Sequence, residues 1–237
     1  MTMQAFSIVI PTYKEAKNIE HLAKAVQQTS FAGREFEVIL MDDDSNDGSL
    51  DIVRQLQTTY PWLRMIVRQG KRSLSLAVIE GCQQAKHPLI VSMDADLSHP
   101  TTSIPAMLTL LENDQADLVI GSRYIPGGSV DPQWSWQRRA ISRACALLAK
   151  SILLLKINDP LSGFFAIKKS TFMRGNIVNP SGWKIALEIM IKCRCEKTAE
   201  VPIHFSDRRY GKSKLNARVS MAFLKQLGQL AFFQYLK

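Results

Sequence analysis

Two groups of carboxylates each close a strongly apolar run. Asp42, Asp43 and Asp44 follow FEVILM, and Asp94 and Asp96, separated by Ala95, follow PLIVSM. Carboxylates crowded together repel one another and resist loss of solvent, so a cation is expected beside them. Both runs are short, rich in Ile and Val, and followed by a helix-like segment. They read as central parallel strands whose C-terminal ends share one edge of a sheet, the edge at which open α/β sheets bind ligands. The simplest occupant is a hard divalent metal, Mg²⁺ or Mn²⁺, carrying a phosphorylated substrate. Side chains at i and i+2 of an extended segment point the same way, so Asp94 and Asp96 can converge on one ion. Asp96 is expected as the direct ligand and Asp94 beside it on the metal or a substrate hydroxyl. The alternative is that the pair caps the following helix or holds a turn.

The elements that must hold these residues follow from periodicity. FSIVIPTY reads as a strand, and Ile19, Leu22, Ala23 and Val26 form a helical stripe. The strand FEVILM is followed by a helix marked by Leu50, Val53 and Leu56, then by RMIVRQ as a strand and SLSLAVIEGCQQA as a helix. PLIVSM, IPAMLTLLEN and DLVIGSRY continue as strand, helix and strand. This alternation predicts a mostly parallel, right-handed wound α/β sheet covered on both faces. After a Gly- and Pro-marked loop come a helix over 134–155, a short strand FFAIKK, a helix over 183–195, a strand AEVPIHF and a C-terminal helix. With no linker, repeat or low-complexity stretch, a single catalytic domain over 1–237 is expected.

Charge divides the chain. Residues 1–120 carry 10 Lys and Arg against 15 Asp and Glu, whereas residues 121–237 carry 20 against 6. The basic half suits nucleic acid, an anionic membrane surface or anionic substrates, and composition does not choose among them. Cys82, Cys145, Cys193 and Cys195 make neither a CxxC pair nor a disulfide framework, so reduced thiols and a cytoplasmic setting are expected. A signal peptide and a membrane-spanning helix are not expected, because no apolar run is long enough.

The segments PTYKEAKNI, DDDSNDGS, DADLSHP, GSRY, DPLSGFFAIKK and VPIHFSDRRYGKSKL stand in the order and near the spacing of one family. Across nearly its whole length the chain resembles the dolichol-phosphate mannose synthases, family 2 glycosyltransferases of GT-A, Rossmann-like fold. The resemblance implies metal-dependent, inverting transfer of a hexose, usually mannose from GDP-mannose, to a polyprenyl (dolichyl or undecaprenyl) phosphate. It divides the chain into a nucleotide-sugar half (1–124) and an acceptor- and membrane-facing half (125–237). Pro11, Tyr13 and Glu15 match the base and ribose pocket. Asp43 matches a base- or ribose-contacting carboxylate and Met41 a neighbouring main-chain contact, while Asp94, Ala95 and Asp96 match the donor and metal site. Arg123, Arg208 and Lys214 match phosphate contacts, and the position of a further family metal ligand, Gln, is taken by Ser98, a weaker one, with His99 alongside. Two other departures are Asp44, where relatives carry Gly, and Ser73-Leu74-Ser75, where they carry Gly-Leu-Gly.

An acceptor phosphate is already anionic, so positioning and charge screening suffice and no general base is needed. None is evident in the chain. Two basic amphipathic helices bear on the lipid. One interleaves Trp134, Trp136, Arg138, Arg139, Arg143, Lys150 and Lys156 with a stripe of Ile141, Leu148, Ile152 and Leu155; the other sets Phe223, Leu227, Leu230 and Phe233 beside Lys225. Such helices lie in a bilayer interface or cover a core. The C-terminal helix is expected at the interface, and for the first both readings stand. The expected protein is therefore peripheral on the cytoplasmic face of a membrane, with a membrane-anchoring partner as an alternative attachment and no nucleic acid as ligand. Alternatives within the fold are glucose or another sugar from a UDP-sugar, passed to polyprenyl phosphate or to a saccharide. More distant ones are an inactive nucleotide-sugar binder and a nucleic-acid-binding module.

Overall fold

The computed structural model describes residues 3–177, 180–207 and 217–235, the last segment at side-chain level from residue 221. Along the first half, strands β1 (Phe6–Thr12), β2 (Phe36–Asp42), β3 (Leu63–Val67), β4 (Leu89–Ser92) and β5 (Leu118–Ser122) alternate with helices α1 (Ala16–Gln28), α2 (Ser49–Leu56), α3 (Leu74–Gln84) and α4 (Ile104–Glu112). The second half adds β6 (Ser129–Val130), α5 (Trp136–Ile152), β7 (Phe165–Lys168), α6 (Lys169–Arg174), α7 (Ile185–Lys192), β8 (Thr198–Pro202), β9 (His204–Phe205) and α8 (Ala217–Tyr235).

Seven strands form one sheet in the order β3-β2-β1-β4-β7-β5-β8, and β6 pairs with β9 separately. All neighbours in the large sheet are parallel except those of β7, which runs antiparallel between β4 and β5. The expected mostly parallel sheet is therefore present. The period-2 alternation sends Val9, Ile39, Met41, Ile90 and Ile120 to one face, beneath α3, α5, α7 and α8. Ile8, Ile10, Val38, Leu40 and Val91 go to the other, beneath α1, α2 and α4. Both faces are covered, as runs apolar at every position require.

Three expectations are corrected in the second half. The run AEVPIHF is two strands. Pro202 has no N–H to continue the ladder, and the chain crosses at Ile203 to pair His204 and Phe205 with Ser129 and Val130. A short helix, α6, follows β7 directly where the sequence reading placed none. The stripe of Phe223, Leu227 and Leu230 on α8, expected at a bilayer, is buried in the core. Met221, Leu224, Phe232 and Tyr235 are the exposed apolar residues of that helix. On α5 the reverse holds: Ile141, Leu148 and Ile152 are exposed, and the small Ala146 and Ala149 face inward.

Candidate active site

Because β1, β2, β4 and β5 are parallel, their C-terminal ends bring Pro11, Asp43, Asp94 and Arg123 to one edge. The turns there are strained: Lys14, Asp44, Asn46 and Leu97 take left-handed backbone at φ 60°, 53°, 47° and 63°. Asp44 occupies such a position where the family resemblance leads one to expect Gly, and Asp is among the few other residues that tolerate it.

The first acidic cluster is compensated from within. Asp42 accepts the Ser45 N–H at 2.8 Å and hydroxyls from Thr12 and Ser45. Asp47 accepts the Ala16 N–H at 3.2 Å and the Ser49 hydroxyl at 2.6 Å. Asp43 is ion-paired with buried Arg68, which is also forked onto Glu80 at 2.7 and 2.9 Å. The Ser73 N–H donates to the second oxygen of Asp43 at 2.9 Å. The cation expected beside this cluster is thus a side chain of the protein. Tyr13 lies close by, with the Arg72 guanidinium 4.2 Å over its ring. Glu15 stands at the N-cap of α1 and accepts from the Asn18 amide at 2.6 Å. Met41 is buried with its side chain against the α-carbon of Gly81, so only its main chain is left for a ligand.

The second acidic cluster differs. Asp94 is half-buried and lines a cavity of about 260 Å³ together with Pro11, Arg123, Lys184 and residues of α5 and α8. Asp96 is buried and accepts the Ser98 N–H at 3.1 Å and its hydroxyl at 2.6 Å, so Ser98 is directed onto Asp96. Ala95 is packed in the core. His99 is neither exposed nor aimed outward. Its Nδ1 accepts the Asp94 N–H at 3.1 Å while the ring stacks on Phe164 at 5.1 Å. Burial pushes the imidazole below its ordinary pKa against the pull of Asp94 and Asp96, so it is a neutral brace for the Asp94 turn.

Arg123 lines the same cavity as Asp94. Completely buried Asp159 takes its fork at 2.7 and 2.8 Å and its main-chain N–H at 3.0 Å. Lys184, which the sequence reading passed over as a helix residue, rests its ammonium on the Leu161 carbonyl at 2.8 Å and 4.2 Å over the Trp183 ring. Burial, aided by the charge of Arg123, pulls its amine down to about 8 despite Asp159 and Asp94. Arg123 and Lys184 therefore line one cleft with the carboxylate of Asp94, an arrangement able to hold a phosphate-bearing ligand. Arg208 and Lys214 lie outside the described residues.

Among the described residues no three His, Cys, Asp or Glu converge into a metal cage. A cation completed by ligand oxygens needs only one or two carboxylates. The hard oxygens of Asp94 and Asp96 fit that demand. The serines of the α3 turn serve the protein: Ser73 caps α3, and the Ser75 hydroxyl donates to the Gly182 carbonyl at 2.6 Å.

Residues 7–175 match the model of the family described as glycosyl transferase family 2. The chain is 37% identical over 226 residues to a dolichol-phosphate mannosyltransferase of Pyrococcus furiosus, covering 94% of this chain and 63% of that protein. It is 38% identical to the enzyme of the same name from Mycosarcoma maydis, covering 97% of this chain and 80% of the relative. With the Saccharomyces cerevisiae enzyme the identity is 36% and the coverage 97% and 88%. Glucosyl-3-phosphoglycerate synthase from Mycobacterium tuberculosis, solved with Mn²⁺, UDP and glucosyl-3-phosphoglycerate, superposes with a TM-score of 0.69 at 16% identity over 98% of this chain and 80% of its own. At that identity the likeness is one of fold, the GT-A arrangement of a mostly parallel sheet between helices.

Proposed function

Since the chain belongs to glycosyltransferase family 2, we propose that it transfers mannose from GDP-mannose to a polyprenyl phosphate, with inversion and with the help of a divalent metal. The observation that carries this reading is one cleft. It is lined by Asp94, Arg123 and Lys184 together with Ile141, Ser142 and Arg138 of the apolar, basic helix α5. The relatives named as dolichol-phosphate mannosyltransferases support the acceptor class.

Asp94 and Asp96 would hold the metal, and a metal there supplies Lewis-acid stabilisation to the departing diphosphate. Arg123, locked by Asp159, and Lys184 supply positive charge whose position is set before substrate arrives, so little reorganisation accompanies the reaction. His99 fixes the turn that aims Asp94. The acceptor's phosphate oxygen attacks without losing a proton, so the cleft's task is to align it with the anomeric carbon and keep water out. Tyr13, Glu15 and Asp43 would form the base side. The protein would work peripherally, on the cytoplasmic face of a membrane, with α5 against the lipid.

Incubation with labelled GDP-mannose, in parallel with UDP-sugars, and dolichyl or undecaprenyl phosphate should yield a chloroform-soluble, EDTA-sensitive product. Asp96→Asn should reduce its rate on the order of a hundredfold, because metal stabilisation of developing charge is worth several kcal/mol. Absence of product with every sugar, or full turnover in Asp96→Asn, would overturn the assignment.

A further inference from the structure

Gln226 is a polar residue of α8 with no solvent exposure. Its amide is used at both ends. The carbonyl Oε1 accepts the Lys184 N–H at 3.1 Å, and Nε2 donates to the Lys184 carbonyl at 3.2 Å and to Glu188 Oε2 at 3.1 Å. One side chain thus grips both polar groups of a single residue's main chain, as a neighbouring strand would, and so fixes the orientation of that residue. Glu188 is itself fully buried and held by Ser181 N–H at 2.9 Å, the Ser181 hydroxyl at 3.1 Å and Lys192. On the other side of the segment, Ser75 clasps the Gly182 carbonyl. Gly182 leaves the space Gln226 needs, since a Cβ there would lie 2.4 Å from its Oε1.

The residue gripped in this way is Lys184, a cation of the cleft. We propose that Gln226 is a positioning residue that holds Lys184 for its phosphate-binding task and ties the site to the amphipathic helix α8. The helix carries Gln226 inward while Met221, Leu224 and Phe232 stay exposed. A shift of α8 is therefore passed through Gln226 to the main chain of Lys184. This inference rests on the glycosyltransferase reading for the role of Lys184, and on geometry alone for the grip itself.

The test compares Gln226→Leu and Gly182→Ala, which breaks the same contact from the opposite side, with Leu230→Ala, which loosens the packing of α8 one helical turn beyond Gln226. Two readouts are needed. The rate at which Lys184 is acylated by an N-hydroxysuccinimide ester, followed by peptide mass spectrometry, does not depend on any ligand. The dissociation constant of Mg²⁺–GDP does. Gln226→Leu and Gly182→Ala should raise Lys184 acylation several-fold and weaken GDP binding roughly tenfold to a hundredfold, as misplacement of a binding group by about 1 Å does. Leu230→Ala should lower the melting temperature and leave both readouts near wild type. Unchanged acylation in both contact variants, or equal changes in Leu230→Ala, overturns the proposal. Raised acylation in a protein whose wild type binds no GDP upholds the grip and removes the GDP-mannose reading instead.

Discussion

At the exit of β2, consecutive carboxylates meet different fates. Asp42 is consumed by its own turn, Asp44 is exposed at a left-handed position, and Asp43 is paired with Arg68. The sequence signalled negative charge at a strand end and its need for a cation. It did not signal that Arg68, just beyond β3, would be that cation, because the pairing depends on β2 and β3 lying side by side. Removing Arg68 strands a buried carboxylate, and Arg68→Met should therefore cost about 3–5 kcal/mol in denaturant unfolding. Adding Asp43→Asn should recover a large part of the loss. If the double variant is as unstable as the single one, Arg68 acts through packing and not through charge. Lys184 shows the opposite failure of legibility: in the sequence it is one Lys before an apolar helix, and only the fold places it in the cleft with Asp94.

Among the elements, the paired strands β1 and β2 carry a polar cluster at the sheet edge opposite the cleft. Glu37, at the start of β2, accepts the Ser7 hydroxyl at 2.7 Å, the Lys86 N–H at 2.7 Å and Arg64 at 2.9 Å. Burial pushes its carboxyl up, but those donors together outweigh burial and hold it below the ordinary value of 4.5. A carboxyl with a depressed folded pKa stabilises the protein above its unfolded pKa, and the stabilisation is lost as the pH falls through the folded value. Acid unfolding below about pH 4.5 should therefore be blunted in Glu37→Gln, at a cost of about 1–3 kcal/mol near pH 7 for the donors left without their anion. An unaltered acid limb would show that Glu37 is not the group responsible. The helices teach a related lesson. The apolar stripes of α5 and α8 look alike in sequence, yet Leu227 and Leu230 are core residues and Ile141 and Leu148 are not. Periodicity locates an apolar face, but what covers it is settled by which neighbours arrive.

For the whole molecule, the acidic first half and basic second half meet at the cleft between Asp94 and the pair Arg123 and Lys184. Around it α5 exposes Trp136, Ile141, Leu147 and Leu148 beside Arg138, Arg139 and Arg143. No helix among the described residues is long and apolar enough to cross a membrane. Attachment through this surface should appear as co-sedimentation with anionic vesicles. Ile141→Asp and Leu148→Asp should each weaken it roughly tenfold or more, given about 1.5–3 kcal/mol for burying a large apolar side chain; equal binding by both variants would exclude α5 as the contact. What the sequence determined by itself was the order of strands and helices through β5, the acidic strand ends and the family, because periodicity, charge and motif are properties of short stretches. Tertiary structure alone decided the insertion of β7 between β4 and β5, the partner of Asp43, the outward face of α5 and the seating of Lys184 by Gln226. Each of those joins residues far apart in the chain, and such contacts arise only when packing of the whole sheet and its helices has selected them.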